Sequence, residues 1–153
     1  MTPGRLESIN VSRGGVPKRT IAEARITATG VDGDRQAHLQ FHGGPDRAVV
    51  LFSLDVIRAL QAEGHPIDVG TTGENLTVSG LKWDALAPGD ELQIGGARLH
   101  LTQYAGPCET IRRSFLDDNF TRISEKRFPG WSRMCARVIA GGLVRIGDSV
   151  EKL

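Results

Sequence analysis

Residues 88–108 read PGDELQIGGARLHLTQYAGPC, and this stretch predicts the fold class. Pro88-Gly89-Asp90 is a turn sequence, and the pair Gly95-Gly96 separates two short runs, Glu91–Ile94 and Ala97–Gln103. Pro107 ends the second run, because proline has no N–H to donate to a strand ladder. The stretch therefore predicts a β-hairpin whose second strand ends shortly before Cys108.

Short apolar runs between glycine turns continue on both sides of this hairpin. We predict further strands at Leu6–Val11, Ala22–Thr29, Ala48–Phe52, Asn75–Val78, Met134–Ala140, Leu143–Ile146 and after Gly147-Asp148. The pair Gly141-Gly142 predicts a second hairpin between two of these strands. The polar, glycine-bearing segment from Gly30 to Asp46 predicts a long loop.

Helical patterns are fewer and shorter. Ser53 fits an N-cap, and the apolar residues that follow it predict one helix ending near Gly64. One or two short helices are expected between Thr110 and Phe128. With 19 glycines in 153 residues, the sequence predicts a mainly β protein, a barrel or a sandwich.

Composition narrows the class of protein. The length of 153 residues, without an internal repeat or linker, predicts a single domain over residues 1–153. The net charge of +1 and the dispersed lysines and arginines speak against a nucleic-acid-binding domain. No apolar run approaches the ~20 residues of a membrane span, and the N-terminus lacks the apolar core of a signal peptide. We expect a cytoplasmic protein.

The two cysteines differ in their surroundings. Cys108 follows Gly106-Pro107 at a strand end, with Arg112 and Arg113 within the next turn. A helix start and nearby arginines favour the thiolate, the form that binds metals and attacks electrophiles. The alternative is that Cys108 only plugs the end of the barrel, and the residues leave both readings open. Cys135 falls in the middle of a predicted strand, where we interpret it as structural.

Two further segments are candidates for ligand binding. In the segment FHGGPDR, the glycines allow an anion-binding nest of N–H groups, beside His42 and Arg47. In the segment GTTGENL, two glycines bracket hydroxyl groups before Glu74 and Asn75, a set of donors and acceptors that suits a heterocycle such as a pterin. The alternative for each segment is an ordinary glycine turn, which the residues of FHGGPDR alone favour.

In their order along the chain these motifs resemble the MOSC domain, the C-terminal domain of molybdenum cofactor sulfurases, which also occurs as small stand-alone bacterial proteins. The resemblance runs from about Ser8 to Val150. The motifs that carry it are Gly33-Asp34, His42-Gly43-Gly44, Arg47-Ala48-Val49, Gly70-Thr71-Thr72-Gly73-Glu74-Asn75-Leu76, Gly89-Asp90, Ile94-Gly95, Pro107-Cys108, Arg137-Val138 and Gly147-Asp148-Ser149-Val150.

The resemblance implies a β-barrel of mostly antiparallel strands with a few short helices, and it implies binding of the molybdenum cofactor. Cys108 would be the catalytic residue and the metal ligand, or a persulfide carrier. Residues implied in cofactor binding are His42, Gly43, Gly44, Arg47, Thr71, Thr72, Gly73, Glu74 and Asn75. The implied protein partner is a redox partner or a protein that donates or accepts the cofactor. Whether the chain forms a homo-oligomer is left open by the resemblance. We expect no pyridoxal phosphate, because no lysine lies in a recognisable Schiff-base motif.

One departure concerns cofactor contacts. Many members of the family have an arginine two or three residues before the cysteine, whereas this chain has Tyr104-Ala105-Gly106. Arg47, Arg112 or Arg113 would have to substitute for it.

The sequence leaves the function open between three classes. The first is a carrier of the cofactor, or of sulfur as a Cys108 persulfide. The second is a molybdenum-dependent reductase of N-hydroxylated compounds that uses a separate electron donor. The third is a cofactor-free interaction barrel.

Overall fold

The computed structural model describes residues 3–35 and 44–153, whose strands form a closed barrel and a smaller sheet. The strands are β1 (Gly4–Val11), β2 (Arg19–Ile21), β3 (Glu23–Thr27), β4 (Gly30–Val31), β5 (Val49–Ser53), β6 (Leu76–Ser79), β7 (Glu91–Ile94), β8 (Ala97–Ala105), β9 (Arg133–Ala140), β10 (Gly142–Arg145) and β11 (Ser149–Lys152). The barrel order is β11-β7-β8-β9-β5-β6-β1, and pairing of β1 with β11 closes it. Strand β2 pairs with β1, and β10, β3 and β4 form the smaller sheet.

The barrel pairs are antiparallel except β5 with β6. A parallel pair needs a crossover connection, and helix α1 (Leu54–Ala62) provides it. The side chain of Ser53 accepts a hydrogen bond from the Val56 N–H at 3.2 Å, which confirms the predicted N-cap. Ile57 and Leu60 are buried on the face of α1 that packs inward.

The remaining helices are single 3₁₀ turns or short 3₁₀ segments. They span Pro45–Arg47, Trp83–Ala85, Glu109–Ser114, Leu116–Asp118 and Phe120–Ile123. The prediction of a mainly β barrel with a few short helices is thus confirmed. Within residues 3–35 and 44–153, no helix has the length and apolar character needed to cross a lipid bilayer.

The core fills the barrel interior with side chains from alternate strand positions. In β8, Leu99 and Leu101 are fully buried, whereas Arg98, which lies between the buried residues Ala97 and Leu99, is exposed. Phe52 of β5 and Leu92 of β7 are also fully buried. Strands β7 and β8 pair with each other, so the hairpin predicted from Gly95-Gly96 is confirmed.

The second predicted hairpin, across Gly141-Gly142, is wrong. Strand β9 pairs with β8 and β5, while β10 pairs with β3 in the smaller sheet. These glycines serve close packing rather than a turn. A Cβ at Gly142 would lie 2.3 Å from the carbonyl oxygen of Gly96, and a Cβ at Gly141 would lie 2.5 Å from that of Ile26.

The predicted strand Ala22–Thr29 is shorter in the structure, as β3. The separate strand β2 was not predicted, because its residues are mostly exposed and show no apolar pattern.

Candidate functional site

A cleft opens at the end of the barrel where β8 gives way to Cys108. We call it the Cys108 cleft; its cavity volume is about 270 Å³. The described residues that line it are Gly15, Val16, Lys18, Arg47, Val50, Thr72, Gly73, Gln103, Ala105, Gly106, Cys108, Thr110, Ile111, Arg133 and Cys135. Segments far apart in sequence therefore meet here, among them the predicted site residues Arg47, Thr72, Gly73 and Cys108.

Cys108 lies in the short extended segment between the end of β8 and the 3₁₀ helix Glu109–Ser114. This is the position expected from Pro107. The Cys108 side chain is partly exposed, and it stands as a free thiol. A reagent or a ligand in the cleft can therefore reach its sulfur.

Cys135 lines the same cleft from within β9, although it is only 4% exposed. Burial raises the pKa of the Cys135 thiol, and the charges of Arg133 and Arg47 oppose that effect. Its strand position and burial agree with the interpretation as a structural residue. Its place in the wall of the cleft was not predicted.

Arg133 is the site residue that sequence reasoning missed. It begins β9 and is 8% exposed. Its Nη1 donates to the carbonyl oxygen of Thr72 at 2.7 Å, and its Nη2 donates to that of Gly106 at 3.2 Å. Burial lowers the pKa of Arg133, which the charges of Glu74, Cys135 and Cys108 oppose. A guanidinium nevertheless stays charged in proteins, so the cleft wall contains a buried cation.

The register of β8 with β9 explains how Arg133 reaches this position. Ala105 pairs with Arg133, so the arginine stands beside the segment that leads to Cys108. Its guanidinium contacts Gly106, within the three residues where the sequence lacks the arginine found in many family members. A buried-strand pattern that begins with an arginine was the available signal, but the partner of Arg133 could not be inferred without the register.

The residues of the loop Gly70–Asn75 lie in two places: some line the cleft, and others are buried in the interior behind it. Thr72 and Gly73 line the Cys108 cleft, while Thr71 lines an adjacent depression. Glu74 is fully buried and accepts hydrogen bonds from the Gly70 N–H at 3.1 Å and from the hydroxyls of Thr72 at 3.1 Å and Thr77 at 3.2 Å. Burial raises the pKa of Glu74. Glu74 thus holds the loop in shape from behind the cleft.

Asn75 also lies in the interior, where it joins β5 to Asp34. Its Oδ1 accepts from the Val50 N–H at 2.9 Å, and its Nδ2 donates to Asp34 at 2.8 Å. Asp34 in turn pairs with Lys18 at 2.5 Å, with both side chains 6% exposed. Lys18 lines the Cys108 cleft, so this buried ion pair supports one of its edges.

The remaining predicted residues are placed as follows. His42 and Gly43 lie outside the described residues. Gly44 is exposed and immediately precedes the 3₁₀ turn Pro45–Arg47. Arg47 is partly buried in the cleft, where its Nε lies 3.0 Å from the side-chain oxygen of Gln103 when that amide is turned towards it.

Arg112 and Arg113 line the adjacent depression with Thr71 and Ser114, beside the Cys108 cleft. Of the three arginines proposed as substitutes for the missing one, only Arg47 lines the Cys108 cleft itself.

Metal binding by side chains alone finds no support in the described part of the chain. Within residues 3–35 and 44–153, no three His, Cys, Asp or Glu side chains form a group that could hold a metal ion. The soft ligands that line the Cys108 cleft are the sulfurs of Cys108 and Cys135, and Cys108 is the more exposed of the two.

The fold and the cleft define a class: a small closed β-barrel with a partly exposed thiol beside a buried cation at one end. The MOSC domain family model matches residues 38–151. The chain belongs to the MOSC domain family, as the resemblance of its motifs indicated.

Two curated proteins are similar to this chain in sequence. The chain is 31% identical over 134 residues to protein YiiM of Escherichia coli K12, covering 84% of this chain and 58% of YiiM. It is 28% identical over 142 residues to the uncharacterized protein YflK of Bacillus subtilis, covering 91% of this chain and 63% of YflK. The chain thus spans about three fifths of the length of these curated relatives.

Two crystal structures share the fold. YiiM from Geobacillus stearothermophilus has a TM-score of 0.79 at 23% identity, with 99% of this chain and 75% of that chain covered. The YuaD protein from Bacillus subtilis has a TM-score of 0.78 at 16% identity, with 97% of this chain and 94% of that chain covered.

Proposed function

We propose that the Cys108 cleft binds a molybdenum-pterin cofactor, and that the protein carries this cofactor or carries sulfur on Cys108. The observation on which this depends is that a partly exposed thiol and a buried guanidinium share one cleft. A thiolate is the soft ligand suited to a metal such as molybdenum, and a guanidinium suits the anionic part of a cofactor. Membership of the MOSC family supports the same proposal.

The residues of the cleft have separable tasks in this proposal. Cys108 holds the metal, and the Thr72-Gly73 segment with the Gly106 backbone borders the space for the heterocycle. The Glu74 network keeps Thr72 in place, since the Thr72 hydroxyl donates to the Glu74 carboxyl group. The bound cofactor would supply the electron chemistry, while the protein supplies binding, orientation and electrostatics.

A carrier role is favoured by the access to Cys108. Because its thiol is partly exposed at the surface end of the barrel, a thiol or persulfide of another protein can approach it. In sulfur transfer, the Cys108 thiolate attacks the outer sulfur of a donor protein's persulfide. The donor's S–S bond breaks and its thiolate leaves, so one sulfur atom moves without net oxidation.

Cofactor analysis of the purified protein tests the proposal. Protein from a host grown with molybdate should contain molybdenum, and oxidation should release a fluorescent pterin. Cys108→Ser should lower the molybdenum content sharply, whereas Cys135→Ser is the matched control and should retain it. Absence of both molybdenum and pterin from the wild-type protein would contradict the proposal.

Two assays then separate the carrier from the reductase. A carrier should pass cofactor, or labelled sulfur from Cys108, to an acceptor protein on mixing. A reductase should instead turn over an N-hydroxylated compound when an electron donor is added. Such turnover, without transfer of cofactor or sulfur to an acceptor, would contradict the carrier role and support a reductase.

A further inference from the structure

We propose that Cys135 is a second reacting thiol of the Cys108 cleft. It attacks a persulfide on Cys108, releases hydrosulfide and leaves a disulfide between the two cysteines. The inference rests on the proposed function in one respect, the sulfur carried on Cys108. It adds an activity to that function, because sulfur that no acceptor protein removes leaves the cleft as sulfide.

The first observation is that the two thiols share one cavity. The chain contains two cysteines, both are free thiols, and both line the Cys108 cleft. Burial lowers the pKa of Arg133, and the charges of both cysteines, together with that of Glu74, oppose this shift in its pKa. Both sulfurs therefore act on the same guanidinium. Packing of the core does not by itself require a thiol in the wall of the cleft.

The second observation is the difference in exposure. Cys108 is partly exposed, whereas Cys135 is 4% exposed. A persulfide of another protein therefore reaches Cys108 and not Cys135. Once Cys108 carries sulfur, Cys135 lines the same cavity, and a reaction within one molecule has the advantage of a high effective concentration. Exposure thus assigns the order: Cys108 receives the sulfur, and Cys135 reacts second.

The third observation is that one thiol is fixed and the other lies outside the sheet. Cys135 is held in β9, where it pairs with Gln103 of β8 and Val50 of β5. The segment Gly106–Cys108 lies between β8 and the next 3₁₀ helix and belongs to neither. A Cβ at Gly106 would meet nothing within 4 Å, so this segment has space to move. A disulfide needs two Cα atoms within about 7 Å of each other, and Cys108 is the partner that moves to make this approach.

The fourth observation concerns the thiolate, which is the form that attacks the sulfur of a persulfide or disulfide. Burial raises the pKa of the Cys135 thiol, and the charges of Arg133 and Arg47 oppose that effect. The two guanidinium groups therefore favour the reactive form of a thiol that burial alone would keep protonated.

The step balances without an added oxidant. A donor's persulfide first places one sulfur on Cys108, as in the proposed transfer. The Cys135 thiolate then attacks the Sγ atom of Cys108, and the bond between that Sγ and the outer sulfur breaks. The outer sulfur leaves with the electron pair as hydrosulfide. The two cysteines are oxidised to a disulfide, and the transferred sulfur is reduced to sulfide.

The test uses the reduced full-length chain from a host grown without molybdate, with one equivalent of glutathione persulfide as the sulfur donor. We expect the wild type to release one sulfide for each disulfide formed. In Cys135→Ala, Cys108 should keep the mass of one additional sulfur atom, and sulfide release should be at least tenfold slower. Met134→Leu is the matched control, because Met134 is a buried sulfur-containing neighbour on the same strand without a thiol. It should behave as the wild type does.

A second readout identifies the bond and needs only the wild-type protein, so it decides the matter if Cys135→Ala does not fold. Trypsin cleaves after arginine, and digestion without reduction should give residues 99–112 joined to residues 134–137. The chain should remain a monomer in non-reducing gel electrophoresis, which shows that the bond is within one molecule. Cys108→Ser should form neither the persulfide nor the joined peptides.

Three results overturn the inference. The first is a wild type that keeps the persulfide on Cys108 without forming the joined peptides. The second is equal sulfide release from the wild type and Cys135→Ala. The third is an additional sulfur atom on residues 134–137 in place of the disulfide, because the sulfur would then have moved to Cys135 without being released.

The outcomes also separate this inference from the proposed function. A persulfide that the wild type keeps and then passes to an acceptor protein supports the carrier and contradicts the release of sulfide. Disulfide formation with release of sulfide, in a protein that passes neither sulfur nor cofactor to an acceptor, supports the role of Cys135 and contradicts the carrier.

Discussion

The Nη1 atom of Arg133 lies 2.7 Å from the carbonyl oxygen of Thr72, a residue 61 positions earlier in the chain. The contact joins the start of β9 to the Gly70–Asn75 loop. The same guanidinium reaches the carbonyl oxygen of Gly106 at the end of β8. One side chain therefore connects three segments of the Cys108 cleft, and the geometry of the cleft depends on it.

The two thiols should differ in reactivity. Cys108 is partly exposed, whereas Cys135 is 4% exposed and burial raises its pKa. We expect iodoacetamide at neutral pH to alkylate Cys108 first in the cofactor-free protein, and bound cofactor to protect it. Peptide-resolved mass spectrometry over time gives both rates. Equal rates would remove the distinction between the two residues.

The buried Lys18–Asp34 pair should be worth far more than a surface pair. Lys18→Met leaves the Asp34 carboxylate buried without its cation, which costs about 3–5 kcal/mol in the free energy of unfolding. Arg58→Met is the control, because Arg58 and Asp68 are 3.9 Å apart with side chains 57% and 64% exposed. That change should cost less than about 1 kcal/mol. Urea unfolding measures both, and similar losses would contradict the expectation.

Glu74 should make stability depend on pH. Because burial raises its pKa in the folded state above the ordinary 4.5, the folded protein holds the Glu74 proton more tightly than the unfolded chain does. The stabilising contribution of this linkage is complete below about pH 4.5 and is lost as the pH rises through the folded-state pKa.

Glu74→Gln tests this dependence, because the amide is neutral at every pH and has nearly the same shape. The free energy of unfolding of the wild type, relative to Glu74→Gln, should fall with rising pH by about 1.4 kcal/mol for each unit of raised pKa. Urea unfolding at several values between pH 4 and pH 8 gives the difference. A difference that is constant with pH, or that grows with it, would show that the pKa of Glu74 is not raised.

Two glycines should respond differently to alanine. In Gly142→Ala the new Cβ would lie 2.3 Å from the Gly96 carbonyl oxygen, so the backbone must move, at a cost of about 1–3 kcal/mol. In Gly106→Ala the Cβ would meet nothing within 4 Å, and stability should be nearly unchanged. Thermal unfolding compares the two variants. A larger loss in Gly106→Ala would mean that the packing described at residue 142 is not a tight contact.

Gly106→Ala should also affect the cleft, since Gly106 lines it. A methyl group there would occupy the open space beside Arg133, so we expect a weaker retention of cofactor in a protein of unchanged stability. Molybdenum content measured on the folded variant checks this.

Local sequence patterns predicted many of the strands of the barrel and the helix that connects β5 to β6. The Gly95-Gly96 turn, the N-cap Ser53 and the proline before Cys108 each act over a few residues, and the structure has the hairpin, the helix and the strand end where they were expected. The prediction of a hairpin across Gly141-Gly142 was wrong because a local pattern alone was ambiguous there. Two glycines mark either a turn or a close approach of another strand, and only the position of Ile26 and Gly96 distinguishes these cases.

The candidate site was predictable only in part. The sequence by itself determined the barrel's strands, the placement of Cys108 after a strand end and the family, because all of these follow from motifs that are contiguous in the chain. The tertiary structure alone decided that β1 pairs with β11 to close the barrel, that Lys18 meets Asp34, and that Arg133 enters the wall beside Cys108. The physical reason is that burial and ion pairing depend on which strands become neighbours. The register that sets those neighbours results from closure of the whole sheet.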